Sequence, residues 1–119
     1  MNRRFFLALC LTLPGLTHAA EEVQLTAAEI KELLNDKTIR GQWYSSLYTQ
    51  TFDNRGYTTY TAEGMRPDTG NWRVNTETNR YESFWNRSGW SSYPVYRKGD
   101  RFFWGDGDKR WWFKVNADN

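Results

Sequence analysis

The chain has 119 residues, with 16 Lys and Arg against 14 Asp and Glu, one cysteine and one histidine. This length suits one domain with its own core, and the small net charge argues against a dedicated nucleic-acid binder, which carries a clear basic excess. Aromatic residues make up 18% of the chain and include seven Trp, so we expect them to supply much of the core.

The first 19 residues are predicted to be a cleaved export signal. A positively charged N-terminal segment with Arg3 and Arg4 is followed by an apolar run over residues 5–13. This run is too short to span a bilayer. Small residues then occupy the positions that a signal peptidase recognises, which favours cleavage after Ala19 or, as second choice, after Ala20. We therefore expect a periplasmic or secreted protein with no stable membrane anchor after cleavage.

Cleavage would change the available chemistry. It would remove Arg3 and Arg4, the only cysteine, Cys10, and the only histidine, His18. Residues 20–119 would form a single aromatic-rich domain with 14 basic and 14 acidic side chains and no disulfide. Without His or Cys, this domain could form no Ser-His-Asp triad, cysteine nucleophile or thiolate zinc site. We therefore expect this domain to have no enzymatic activity, no cofactor and no metal site.

One helix is predicted over residues 27–36. Thr26 and Glu29 have the spacing of a capping box, in which each side chain bonds the backbone N–H of the other residue. Leu25 and Ile30 have the spacing of the hydrophobic staple that accompanies it. We expect this helix to cover one edge or end of a sheet.

From Thr38 onward, short strand patterns alternate with turn residues every 8–12 positions, as in sandwiches and small barrels. We predict a mainly β fold, an antiparallel meander of about seven to eight strands forming a small barrel or twisted sheet, with one short N-terminal helix. The segments Gly64–Gly70 and Gly105–Asp108 are assigned to connections. The predicted strands are Ile39–Tyr44, Leu47–Phe52, Tyr57–Thr61, Asn71–Asn75, Arg80–Trp85, Trp90–Arg97, Arg101–Trp104 and Arg110–Val115.

One hairpin has a register that can be predicted. If residues 86–88 form a three-residue loop and Gly89 takes the left-handed bulge position, the pairing of the two strands follows. The resulting cross-strand pairs are Phe84 with Trp90, Glu82 with Ser92, and Tyr81 with Tyr93. Because successive side chains alternate faces, one face carries Phe84 and Trp90 and the other carries Tyr81, Trp85 and Tyr93. One of these aromatic faces packs the core, and the other is covered or offered to a ligand.

Three motifs lie along the chain: Leu-Thr-Ala-Ala-Glu-Ile at 25–30, Gly-Asn-Trp-Arg-Val at 70–74, and Gly-Trp-Ser-Ser-Tyr at 89–93. Together they resemble a family of short exported bacterial proteins to which no function is assigned. Members of that family typically carry a cysteine pair at the positions where this chain has Glu82 and Ser92. The resemblance implies an exported β domain, and any role that depends on the cysteine pair is missing here.

Without His or Cys, carboxylates remain as side chains that could act as catalytic acids or bases. Glu82 lies between aromatic residues, where burial would raise its pKa toward that of an acid catalyst, and Asp68 is its potential partner in a glycan hydrolase. The alternative, which we favour, is that Glu82 is solvated or pairs with an Arg. Asp100, Asp106 and Asp108 lack the spacing of a calcium-binding loop, and Asp-Gly is common hairpin chemistry, so we interpret them as turn residues.

The tryptophans are the best candidates for a binding face. Strand alternation puts Trp111 on the core face of the last strand and leaves Trp112 part-exposed on the other, and similar reasoning selects Trp85, Trp90 and Trp104. Flat exposed rings suit stacking on sugars or holding an apolar ligand. The alternative is that nearly all seven Trp are core residues.

These observations favour an exported, non-enzymatic binding domain whose ligand is a cell-envelope glycan or a small apolar molecule. The candidate ligand-binding residues are Glu82, Trp85, Trp90, Trp104 and Trp112. A protein-interaction module or inhibitor of an exported partner is the first alternative, and a carboxylate-based glycan hydrolase is the weaker one. We do not expect a nucleic-acid partner.

Overall fold

The computed structural model describes residues 21–118, so the predicted export signal lies outside the described residues. Within this range the chain forms ten antiparallel strands in one curled, half-barrel sheet, and one helix, α1. The elements are β1 Glu22–Gln24, α1 Ala27–Leu34, β2 Lys37–Trp43, β3 Ser46–Phe52, β4 Tyr57–Ala62, β5 Asp68–Asn75, β6 Arg80–Trp85, β7 Gly89–Tyr93, β8 Val95–Lys98, β9 Arg101–Asp106 and β10 Lys109–Asp118.

The strand order is β1-β8-β9-β10-β2-β3-β4-β5-β6-β7. Strands β2 to β7 form one meander and β8 to β10 form a second, and the two join where β10 pairs with β2. The prediction of an antiparallel, mainly β fold with one short helix is therefore confirmed. The predicted number of seven to eight strands is wrong, because β1 is a short, wholly exposed strand without an alternating pattern and because one predicted strand is divided in two.

That division occurs at Pro94. The predicted strand Trp90–Arg97 is observed as β7, which pairs with β6, and β8, which pairs with β9 and β1. Proline has no N–H to donate to a ladder, while the Pro94 carbonyl accepts a hydrogen bond from the Gly105 N–H at 2.9 Å. The two strands lie near opposite ends of the sheet, and one residue spans only about 7 Å between its neighbours' Cα atoms. The sheet must therefore curl back on itself.

The helix begins as predicted and ends two residues earlier. The Thr26 hydroxyl accepts a hydrogen bond from the Glu29 N–H at 3.2 Å, and the Glu29 carboxylate accepts one from the Thr26 N–H at 2.8 Å. After Leu34 the backbone becomes extended at Asn35 and left-handed at Asp36, with φ 60°. Helix α1 packs against β2, β5 and β6, so it covers the end of the half-barrel where β2 begins.

The core lies on the concave, inner face of the sheet. Its members are apolar or aromatic side chains that alternate with outward-facing residues along each strand. The principal buried residues are Ile30, Leu34, Ile39, Tyr48, Phe52, Trp72, Tyr81, Val95, Trp104 and Phe113. Residues Trp111 and Trp112 follow the predicted alternation, since Trp111 packs against this core and Trp112 is 38% exposed.

Two connections are shorter than predicted. Asp68 lies opposite Tyr60 and belongs to β5, so the predicted connection Gly64–Gly70 is wrong at its C-terminal end. Asp106 lies opposite Lys109 and belongs to β9, which leaves only residues 107–108 in the turn. Pairing with the neighbouring strand overrides the turn preference of these aspartates.

The predicted β6–β7 register is confirmed. Tyr81 lies opposite Tyr93, Glu82 opposite Ser92 and Phe84 opposite Trp90. Gly89 has φ 76°, the left-handed conformation that glycine adopts without steric cost. One face of this hairpin therefore belongs to the inner surface of the sheet and the other to the outer surface.

Replacing Gly70 with Ala tests the close packing of the inner face. A Cβ on Gly70 would overlap the Phe84 carbonyl oxygen and approach the Trp85 ring to 2.8 Å. We expect the free energy of unfolding, measured by urea denaturation, to fall by about 3 kcal/mol. Gly64→Ala is the control, since it meets nothing within 4 Å and should cost only about 1 kcal/mol for its left-handed backbone. Equal losses would contradict this packing.

Candidate functional site

A cavity of about 310 Å³ lies at the end of the half-barrel away from α1. Trp43, the last residue of β2, and Trp85, the last residue of β6, both line it, whereas α1 packs near the start of β2. The volume is at the lower end of the range for small-molecule sites in proteins.

The cavity exists because small side chains interrupt an aromatic face. Ser83 and Ser91 lie directly opposite each other in the β6–β7 ladder, and both line the cavity. Tyr81 and Tyr93 form the aromatic pair on one side of them, and on the other side Trp85 lies opposite Gly89, which has no side chain. Two serines and a glycine therefore leave a space between the larger rings.

Aromatic rings form two walls of this space. On one wall, Trp43 contacts Tyr93 edge to face, with ring centroids 5.1 Å apart. On the other, Tyr60 contacts Trp85 edge to face at 6.1 Å. All four side chains are half-buried and line the cavity.

The floor of the cavity is polar and already hydrogen-bonded. The Trp104 Nε1–H donates to the Tyr48 hydroxyl at 2.8 Å. The Gln50 side-chain amide donates to the Thr58 hydroxyl at 2.9 Å and to the Tyr81 hydroxyl at 3.3 Å. These bonds fix the orientation of the buried groups, so the floor presents a defined set of polar atoms.

The phenols around the floor remain neutral at physiological pH. Burial raises the pKa of Tyr81 to about 12, and it also raises the pKa values of Tyr48 and Tyr60. A neutral phenol both donates and accepts a hydrogen bond but is a poor base. The floor is therefore suited to orienting a ligand.

The charged residues of the cavity lie at its rim. Asp68 and Arg87 are its charged lining residues, and both are exposed. Ser88 and Ser91 add hydroxyl groups to the same opening. The opening therefore offers both hydrogen-bond donors and acceptors to a ligand that reaches it.

The five sequence-predicted residues do not form one site. Trp85 and Trp104 both line the cavity, where Trp104 is only 4% exposed. Trp90 and Trp112 are 48% and 38% exposed and lie on the outer face. Glu82 also lies on the outer face, opposite Ser92.

Glu82 is held in an ion pair on that face. Its carboxylate accepts hydrogen bonds from Arg73 Nε at 2.7 Å and from the Asn75 amide at 3.1 Å, and the Arg73 guanidinium lies 3.8 Å from the Trp90 ring centre. The bond from Arg73 lowers the pKa of Glu82. The predicted possibility of a raised pKa is therefore wrong, and the alternative of pairing with an Arg is confirmed.

Several cavity residues were not predicted from the sequence. Trp43, Tyr60 and Gln50 come from β2, β4 and β3, and they approach β6 only because the sheet curls. Tyr81, Trp85 and Tyr93 were predicted to share one face, and that face is the wall that the sequence could indicate. The residues on the other strands carry no local signal of their position around the cavity.

The aspartates near the last hairpin have structural partners. The Asp106 carboxylate accepts a hydrogen bond from the Tyr44 hydroxyl at 2.6 Å, and Asp108 lies in the turn. Within residues 21–118 there is no group of three or more His, Cys, Asp or Glu side chains placed to hold a metal ion. In that same range no helix has the length and apolar character needed to cross a membrane.

Comparison of the chain with protein-family models, with curated proteins and with solved structures gives no match. The resemblance to short exported bacterial proteins therefore stays a prediction.

Alkaline pH should destabilise the protein through the buried phenols. Unfolded tyrosines ionise near pH 10, while the pKa of folded Tyr81 is about 12. The stabilisation is therefore complete below pH 10 and is lost as pH rises through 12, with Tyr81 contributing a loss of about 2 kcal/mol by pH 12. Between pH 9 and pH 12, the free energy of unfolding of the Tyr81→Phe variant, measured by urea denaturation, should fall less than that of the wild-type protein.

Tyr57→Phe is the matched control, because Tyr57 is 49% exposed. It should follow the wild-type dependence on pH. An equal alkaline loss in the wild type and in Tyr81→Phe would contradict the burial of this phenol.

Proposed function

We propose that this protein is an exported, non-enzymatic binding domain that takes one ring of a small ligand into its aromatic cavity. The observation that carries the proposal is the cavity itself, a space of about 310 Å³ between two aromatic walls above a polar floor. Such a combination of apolar surface with a few fixed polar groups is typical of small-molecule sites.

The polar groups favour a sugar over a purely apolar ligand. A sugar ring has an apolar face that stacks on aromatic side chains and a hydroxyl edge that needs hydrogen-bond partners. Ser88 and Ser91 line the opening of the cavity and supply such partners, and Arg87 and Asp68 lie at its rim. An apolar ligand would desolvate these groups without replacing their bonds to water, which lowers affinity. We therefore propose a terminal sugar unit of a cell-envelope glycan as the ligand.

The predicted export signal supports a periplasmic or secreted location, where envelope glycans are accessible. A hydrolase receives less support, because Glu82 lies on the outer face in an ion pair with Arg73, whereas Asp68 lies at the rim of the cavity. A glycosidase needs two carboxyl groups flanking the same bond. Binding is therefore the better-supported function.

Tryptophan fluorescence of the purified protein tests this proposal. Glucose, N-acetylglucosamine and its short oligomers, and the apolar dye anilinonaphthalene sulfonate would be titrated separately. We expect a sugar to change the emission saturably. Trp85→Ala removes a wall and Ser91→Phe fills the space, so each should weaken sugar binding at least about tenfold, or about 1.4 kcal/mol.

Trp90→Ala is the control, because it removes an exposed ring from the outer face and should leave the affinity unchanged. Thermal melts of each variant would establish that it folds. Binding that survives Ser91→Phe but is lost in Trp90→Ala would contradict the cavity as the site. Saturable binding of the dye alone would contradict the sugar as ligand.

A further inference from the structure

On the outer face of the sheet, four basic side chains form a row across four neighbouring strands. Lys98 lies opposite Arg101, and Lys114 lies opposite Arg40. The pairing of Phe113 with Phe102 places Lys114 beside Arg101. All four basic residues are exposed, and adjacent strands are about 4.8 Å apart, so the row is about 15 Å long.

A row of aromatic residues runs beside the basic row. Phe103 lies between Tyr96 on one neighbouring strand and Trp112 on the other. Each aromatic residue is two positions along its strand from a basic residue, a distance of about 7 Å. Arg101, Trp112 and Lys114 also line one surface depression of about 710 Å³. We call these two rows together the basic-aromatic strip.

Lys98 lies opposite Glu22 in the β1–β8 ladder, but the other three positive charges of the strip have no acidic ion-pair partner among the described residues. Like charges placed directly opposite each other destabilise a sheet, and this strip contains two such pairs. Asp100 lines the same depression, and Glu22 is paired with Arg110. The strip is therefore a surface that a negatively charged partner would stabilise.

We propose that the basic-aromatic strip docks the protein reversibly on an anionic lipid surface. Lys and Arg are attracted to anionic headgroups, and Trp and Tyr favour the boundary between headgroups and acyl chains. A soluble polyanion would satisfy the charges and leave the aromatic row, with Trp112 38% exposed, in water. The combination of both rows therefore favours lipid.

The strip and the cavity can be occupied at the same time. Arg40 lies at the middle of β2 with its exposed side chain on the outer face, whereas Trp43 at the end of β2 lines the cavity on the inner face. Docking through the strip would therefore leave the opening of the cavity accessible. This inference is independent of the ligand proposed for the cavity.

Co-sedimentation with lipid vesicles tests the proposal. The purified protein should sediment with vesicles of mixed phosphatidylglycerol and phosphatidylcholine, and not with phosphatidylcholine alone, and added salt should weaken the binding. The double variant Arg101→Glu, Lys114→Glu should bind at least tenfold more weakly. The matched control, Arg66→Glu with Lys109→Glu, makes the same change of charge at exposed positions outside the strip and should retain most of the binding.

Trp112→Gln tests the aromatic row without changing the charge, and Trp90→Gln is its control on another part of the outer face. We expect a severalfold loss of vesicle binding for Trp112→Gln and none for Trp90→Gln. If the double variant does not fold, this pair and the salt dependence still decide the question. Absence of binding to the anionic vesicles, equal losses in the two double variants, or binding to soluble polyphosphate without binding to vesicles would overturn the proposal.

Discussion

The connection through Pro94 forces the ten-stranded sheet to curl. Pro94 is the single residue between β7 and β8, which lie near opposite ends of the strand order and pair with different neighbours. A flat sheet would place these strands too far apart for so short a connection. The sheet can satisfy the connection only by curling, and the curl separates a concave face from a convex one. The aromatic side chains of many strands converge on the concave face.

The two faces of the curled sheet carry different side chains: the core and the cavity lie inside, and charged residues lie outside. Inside, Phe52 and Trp72 fill the end near α1, while Ser83 and Ser91 keep the other end open. The serines matter because large aromatic residues at those two positions would extend the core and close the cavity. Outside, Arg73 pairs with Glu82, whereas Arg40, Arg101 and Lys114 of the strip have no ion-pair partner among the described residues. A binding role for the interior and a docking role for the exterior are therefore compatible.

Local patterns predicted the local features of this fold. The capping box located the start of α1, and the loop before Gly89 gave the β6–β7 register. The sequence could not indicate the pairing of β10 with β2, since those strands are far apart in the chain and each would pair with many partners equally well. The break between β7 and β8 could have been predicted from Pro94, because a proline inside a strand pattern argues against a continuous strand. Trp104 and Trp90 looked alike in sequence, and only the long-range pairing makes one a cavity residue and the other a surface residue.

A nitrogen–proton NMR titration of the tryptophan indole groups tests whether ligands enter the concave side of the curled sheet. With N-acetylglucosamine oligomers as the probe, the indole signals of Trp85 and Trp104 should shift together as the cavity fills. The signals of Trp90 and Trp112, on the convex side, should stay in place. Shifts confined to Trp90 and Trp112 would contradict the account, because the binding surface would then be the outer face and the cavity would have no part in it.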